Sequence, residues 1–216
     1  MSVTSPTGKR VPSPAASKSV ARREGIELLG AMVAVMWVVE LINSVDNYAL
    51  DRDGLYPHNV DRLWGIFTTP FLHASWSHLI GNTIPFVFMG LLIALAGAKR
   101  LAAVTLIVIV LGGLGTWLVS PAGTPVVGAS GLVFGYATFL LTRGFFNHSL
   151  VEILAGVVVG AVFGSALLAS LVPHGNVSWQ GHLCGGIAGV IAAWLLSRDR
   201  GPGPATPGHS RGALPG

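Results

Sequence analysis

The stretch from Thr124 to Leu141, TPVVGASGLVFGYATFLL, opens an apolar helix with a single hydroxyl at its mouth. Ser130 stands there with Gly128 just before it and Gly131 directly after it. Such a serine can be a nucleophile, because glycine leaves room for a substrate backbone and a neighbouring base can take the hydroxyl proton. A base of the right type is His182, in GHLCGGIAG at the start of another apolar run. It would remove the serine proton and later return it to the leaving group, the minimum apparatus for nucleophilic hydrolysis. His78 and Asn82, in HASWSHLIGN, are four residues apart and share one helix face. Read singly, Ser130 is a helix cap or packing serine, His182 an interhelical hydrogen-bonder, and His78 and Asn82 polar glue. Their chemistry depends on convergence, and convergence depends on the elements that carry them.

Those elements are membrane helices. The chain has 216 residues, of which 51% are hydrophobic and 10% charged, whereas a soluble domain carries about 25% charged residues. A mean hydropathy of +0.66 calls for a bilayer around the apolar surface. A spanning helix needs roughly 20 mostly apolar residues, and six stretches qualify or nearly do: about 26–44, 78–97, 101–119, 130–143, 150–171 and 180–197. The expected fold is all-α, a polytopic six-helix membrane bundle with a long loop after the first helix. In that loop Trp64, Phe67, Phe71 and Trp76 suggest a segment lying at the interface. Residues 1–24 form a basic, Ser- and Pro-rich tail without apolar periodicity, 25–198 the membrane domain, and 199–216 a second flexible tail. No small-residue cleavage site follows the first apolar run, so no secretory signal is expected.

The charges orient the bundle. Lys9, Arg10, Lys18, Arg22 and Arg23 precede the first span, Lys99 and Arg100 follow the second, Arg143 the fourth, and Arg198 and Arg200 the sixth. With alternating spans all of these fall on one side, while Arg52 and Arg62 on the other face four aspartates. The positive-inside rule then places both termini in the cytoplasm of a multi-pass plasma-membrane protein. The net charge of +4 forms no stripe with interleaved aromatics, which argues against nucleic acid. The one cysteine, Cys184, excludes an intrachain disulfide or a multi-cysteine metal site and reads as a packing residue. An HExxH motif is absent, and His73 and His78 are five apart, so no metal and no cofactor are expected. A transporter would show an inverted repeat, and none is evident. The sequence sets no oligomeric state.

Depth brings the polar residues together. Counting from Arg143 at about 1.5 Å per residue, Ser130 lies on the order of 10 Å below the outer surface of a core about 30 Å thick. The same count puts His182 roughly 6 Å and Asn82 roughly 9 Å down, with His78 one turn above Asn82. Polar side chains at that depth are functional candidates. Gly128, Gly131 and Gly135 on one helix, and Gly181, Gly185 and Gly189 on another, form small-residue stripes that let two backbones close. That approach brings Ser130 and His182 within hydrogen-bond reach. Glu40 reads as snorkelling from the first span and Glu152 as marking the cytoplasmic end of the fifth; neither is placed to orient His182, so a Ser–His dyad is expected.

Taken together, GASG opening a short span, GHLCGGIAG in the last span and HASWSHLIGN entering the second resemble the rhomboid intramembrane serine proteases. The resemblance runs from the first span to Arg198. It implies a hydrolase that cleaves transmembrane protein substrates near their outer end, with Ser130 as nucleophile and His182 as general base. It further implies that His78, Asn82 and the Ser130 N–H form the oxyanion hole, that the substrate passes close to Gly128, and that Phe134 packs on the base. A catalytically silent relative acting as a membrane chaperone would lack Ser130 or His182, and this chain keeps both. One departure concerns the loop, where the family's Trp-Arg pair reads Trp64-Gly65, leaving the arginine's role unfilled or moved.

Overall fold

The computed structural model describes residues 13–173 and 178–197. Six long helical elements make up the bundle: α1 (Pro14–Val45), α2 (Trp76–Ala94), α3 (Ala98–Val119), α4 (Ser130–Asn147), α5 (Leu150–Ala169) and α6 (Trp179–Ser197). Among the described residues, five of these, all but α4, are long and apolar enough to cross a membrane. The sixth expected span, α4, does not meet that measure of length and apolarity. The reason is positional: α4 packs against α2, α5 and α6, so its glycines, two threonines and arginine can face protein rather than lipid, and they dilute its apolarity.

α1 starts well before residue 25, where the sequence reading begins the membrane domain. Ser13 caps it, its Oγ accepting the Ala16 N–H at 3.3 Å, and Pro14 opens the first turn, where a missing N–H costs nothing. No breaker follows, so the basic segment continues the helix. The expectations for residues 1–12 and 198–216 fall outside the described residues.

The core forms where α2, α3 and α4 meet. Leu79, Phe86, Met89, Ile93, Leu101, Val104, Tyr136 and Phe139 are fully buried there. Tyr136 stacks on Phe86 and shares a 2.5 Å hydrogen bond with Thr105, which satisfies its hydroxyl away from water. A π segment, Val108–Gly112, interrupts α3 and turns Gly112 onto Gly185 of α6, where an added Cβ would sit 3.2 Å from the Gly185 Cα. α4 and α6 are closer still. A Cβ on Gly185 would run into the Gly131 carbonyl, and one on Gly189 into the Gly135 carbonyl. In lipid, helices associate through such close packing rather than through the hydrophobic effect.

Candidate active site

The chain enters α4 under tight backbone control. Leu55 of the long loop pairs with Val126 in an antiparallel bridge, its carbonyl accepting the Val126 N–H at 2.8 Å. Next, the Gly128 N–H donates to the Thr69 carbonyl at 2.9 Å, and the Ala129 N–H to His73 Nε2 at 3.4 Å. Gly128 adopts φ +117°, a conformation nearly confined to glycine. Ala129 is the N-cap and Ser130 the first helical residue. The Ser130 N–H is therefore one of the donors that a helix start leaves without an intrahelical partner, in the partial positive charge of the helix dipole.

α2 delivers the next two groups. Ser75 caps it by accepting the His78 N–H at 3.2 Å, and the helical period then aligns His78 with Asn82. Both meet Gly128: a Cβ there would lie 2.6 Å from His78 Cε1, 2.8 Å from His78 Nε2 and 3.4 Å from Asn82 Nδ2. Asn82 is buried, and among the described residues its Nδ2 has no hydrogen-bond partner. A buried amide with an unused donor is costly unless something else accepts from it.

α6 supplies His182, which is buried. Its Nδ1 lies 2.9 Å from the carbonyl of Ser170, the C-cap of α5. A carbonyl can only accept, so Nδ1 carries the proton and Nε2 keeps its lone pair. Phe134, one turn into α4, stacks on the imidazole with centroids 4.5 Å apart and planes 7° from parallel. Ser130, His182, His78 and Asn82 line one cavity of about 1030 Å³, whose α5 wall includes Phe163 and Ser170. A separate cavity of about 50 Å³ also reaches Ser130, lined by Ile66, Gly112 and Gly113 among others.

The loop between α1 and α2 has its own arginine. Arg62 lies over the rings of Tyr56 and Trp64, at 5.0 and 4.8 Å, bonds the Arg52 carbonyl and pairs with Asp53 at 3.5 Å. Gly65 is in no position to carry one, since a Cβ there would stand 2.5 Å from the Gly54 carbonyl oxygen and 2.9 Å from the Leu55 Cα. Trp64, Phe67 and Trp76 are exposed, whereas Phe71 packs against the core.

Four further side chains can be set against their sequence reading. Glu40 does not snorkel: it is fully buried, and among the described residues both carboxylate oxygens lack a hydrogen-bond partner. Glu152 sits in the first turn of α5 and pairs with Arg143 at 2.8 Å. Cys184 packs on the Gly115 position of α3. His73 carries no sequence signal for the contact it makes, because the Ala129 N–H comes from 56 positions away.

The rhomboid domain family matches residues 60–199. An uncharacterized protein of Mycobacterium tuberculosis (strain ATCC 25618 / H37Rv) is 44% identical over 204 residues, covering 90% of this chain and 85% of that protein. A Bacillus subtilis (strain 168) protein named "Putative rhomboid protease YdcA" is 26% identical over 175 residues, 79% of this chain and 87% of that one. "Rhomboid-like protein 11, chloroplastic" of Arabidopsis thaliana is 32% identical over 155 residues, 65% of this chain and 55% of that protein.

Proposed function

The chain belongs to the rhomboid family, and from that membership we propose that it is a serine endopeptidase that cuts transmembrane segments of other proteins inside the bilayer. The observation that carries this reading is the single cavity in which Ser130, at a helix N-terminus, faces His182, His78 and Asn82 from two other helices. Ser130 Oγ attacks the scissile carbonyl while His182 Nε2 takes its proton. The negative charge that develops on the carbonyl oxygen meets the Ser130 N–H, the His78 imidazole and the unused Asn82 Nδ2 donor. His182 then gives its proton to the leaving amine, and the C–N bond breaks. Water, deprotonated by the same imidazole, hydrolyses the acyl-serine and restores both groups.

Two features bear on the substrate. The 50 Å³ cavity beside Ser130 has room for a small side chain, which suits a small residue before the cut. With both termini in the cytoplasm, as the basic residues suggest, the site opens toward the outer face of the plasma membrane, where water enters. The test is a fluorophosphonate probe on the detergent-solubilised protein, alongside cleavage of a reporter transmembrane substrate. Wild type is expected to label and cleave, and Ser130→Ala and His182→Ala to lose both. A folded wild type that neither labels nor cleaves would sink the proposal and favour a silent, chaperone-like relative.

A further inference from the structure

We propose that His73 is a positioning residue of this site, holding the Gly128–Ser130 turn in register with His78 by accepting the Ala129 N–H. The inference rests on the protease reading above, and it concerns a residue outside the reacting groups. Three of the amides leading into Ser130, those of Val126, Gly128 and Ala129, have acceptors of known kind. The Val126 and Gly128 N–H groups donate to the backbone carbonyls of Leu55 and Thr69, acceptors that any side chain at those positions would leave in place. The Ala129 N–H alone among the three depends on a side chain, and that side chain is His73.

The surroundings of His73 suit a fixed part. It is fully buried in the short stretch between Phe71 and the Ser75 cap of α2. Its own carbonyl accepts from Asn43 Nδ2 of α1 at 3.4 Å. Asn43 is buried as well, and it also bonds Asp51 Oδ1 and the Leu50 N–H, which ties α1 and the loop to the same point. On its other side the His73 ring meets His78 edge-on, with centroids 5.2 Å apart and planes at 72°. His78 in turn packs on Gly128. One imidazole thus touches both the backbone entering the nucleophile and the side chain offered to the oxyanion.

The charge state fits that task. Burial lowers the His73 pKa to about 4, with His78 adding to the effect and the Phe71 carbonyl opposing it. The titratable groups around it are His78 on α2 and, beyond Asn43, Asp51 in the loop and Glu40 on α1, the last two coupled to each other; the first turn of α4 brings none. At neutral pH the ring is uncharged, so one nitrogen keeps a lone pair, and the donation from the Ala129 N–H assigns it to Nε2.

The test compares His73→Leu, which removes the acceptor, with His73→Gln, whose Oε1 reaches the place of Nε2. Wild type, Ser130→Ala and both variants of the full chain are assayed for kcat and KM on the reporter substrate, for the rate of fluorophosphonate labelling, and for thermal unfolding. The expected result is a fall of at least tenfold in kcat for Leu, with KM within about twofold and labelling slowed in parallel, while Gln recovers kcat to within about threefold of wild type. A folded Leu variant that matches wild type overturns the assignment. So does a folded Gln variant with kcat more than tenfold below wild type, which also decides the matter if Leu fails to fold. Wild type inert to substrate and probe would instead remove the protease reading, and the His73 role with it. Activity in wild type, its loss in Ser130→Ala and an unaffected His73→Leu would leave the protease standing and remove His73 alone.

Discussion

Gly128 is the position where backbone conformation and the site are most tightly joined, and Gly128→Ala measures that link. The residue sits at φ +117°, where an L side chain is strained by on the order of 1–3 kcal/mol. The new methyl would also lie 2.6 Å from His78 Cε1 and 2.8 Å from His78 Nε2, inside the roughly 3.5 Å at which carbon atoms attract. Overpacking of this kind costs about 1–3 kcal/mol when neighbours can shift. The two add to roughly 2–6 kcal/mol in stability. The cheapest relief is for His78 to swing away, which removes an oxyanion donor worth about 10²–10³ in kcat. Gly131→Ala is the control. It lies one turn of backbone further on, and its Cβ would meet only the Gly181 carbonyl oxygen at 3.5 Å, an ordinary contact. Inside a helix alanine is favoured over glycine by up to about 1 kcal/mol. Thermal unfolding in micelles and reporter cleavage should show Gly128→Ala destabilised and at least a hundredfold slower, with Gly131→Ala as stable as wild type. Equal stability and equal cleavage for Gly128→Ala and wild type would refute the reasoning, because neither the φ constraint nor the His78 contact would then matter.

Three other outcomes follow from the same structure. Gly65→Arg, which restores the family's Trp-Arg pair, should destabilise the protein rather than improve it, since any Cβ collides with the Gly54 carbonyl; a higher unfolding temperature would contradict this. Glu152→Gln should cost roughly 1–2 kcal/mol, between the loss for an exposed ion pair and that for a buried one, because it takes the 2.8 Å carboxylate from the partly buried Arg143–Glu152 pair; Arg143→Met with Glu152→Gln together should recover part of that loss in a denaturation series. Acid should weaken the fold through His73. Its folded pKa, about 4, lies below the ordinary 6.5, so the unfolded chain takes the proton first and stability, full above pH 6.5, falls as the pH drops toward 4. At about 1.4 kcal/mol per pKa unit this amounts to roughly 3 kcal/mol, and unfolding curves of His73→Gln should show a shallower slope, with only the share of groups such as the half-buried His78 remaining.

Much of the site was legible because its signals are local. His78 and Asn82 align through the helix period, and the glycine stripes of α4 and α6 announce their contact through small-residue spacing. Contacts between distant segments left no such trace. Arg62 takes its place over Tyr56 and Trp64 only because the loop folds back on itself, and a shift of a few residues from the family's arginine hides it in sequence. Glu40 looks like an interfacial carboxylate until the loop carrying Asp51 covers it. α4 falls short of the apolarity of a spanning helix for a related reason. Hydropathy reports what an element would tolerate in lipid, whereas α4 is surrounded by its own chain and has no need of an apolar face all round.

The partner of His182 is the least legible feature, and it bears on how the proposed reaction is controlled. The Ser170 carbonyl holds the imidazole at 2.9 Å, and a backbone carbonyl has no residue type to read. It is nevertheless a suitable group. The last carbonyls of a helix lack intrahelical donors and carry a share of the dipole's negative end, equivalent to roughly half a charge. The end of α5 thus orients the imidazole without placing a full charge in a low-dielectric site, where desolvation costs several kcal/mol. It also makes the base conditional on where α5 stands. Phe163 and Ser170 of the same helix wall the cavity that holds Ser130, while the opposite end of α5 is tied to α4 through Arg143 and Glu152. A displacement of the Ser170 end that widened the cavity would withdraw the Nδ1 acceptor from His182 in the same movement.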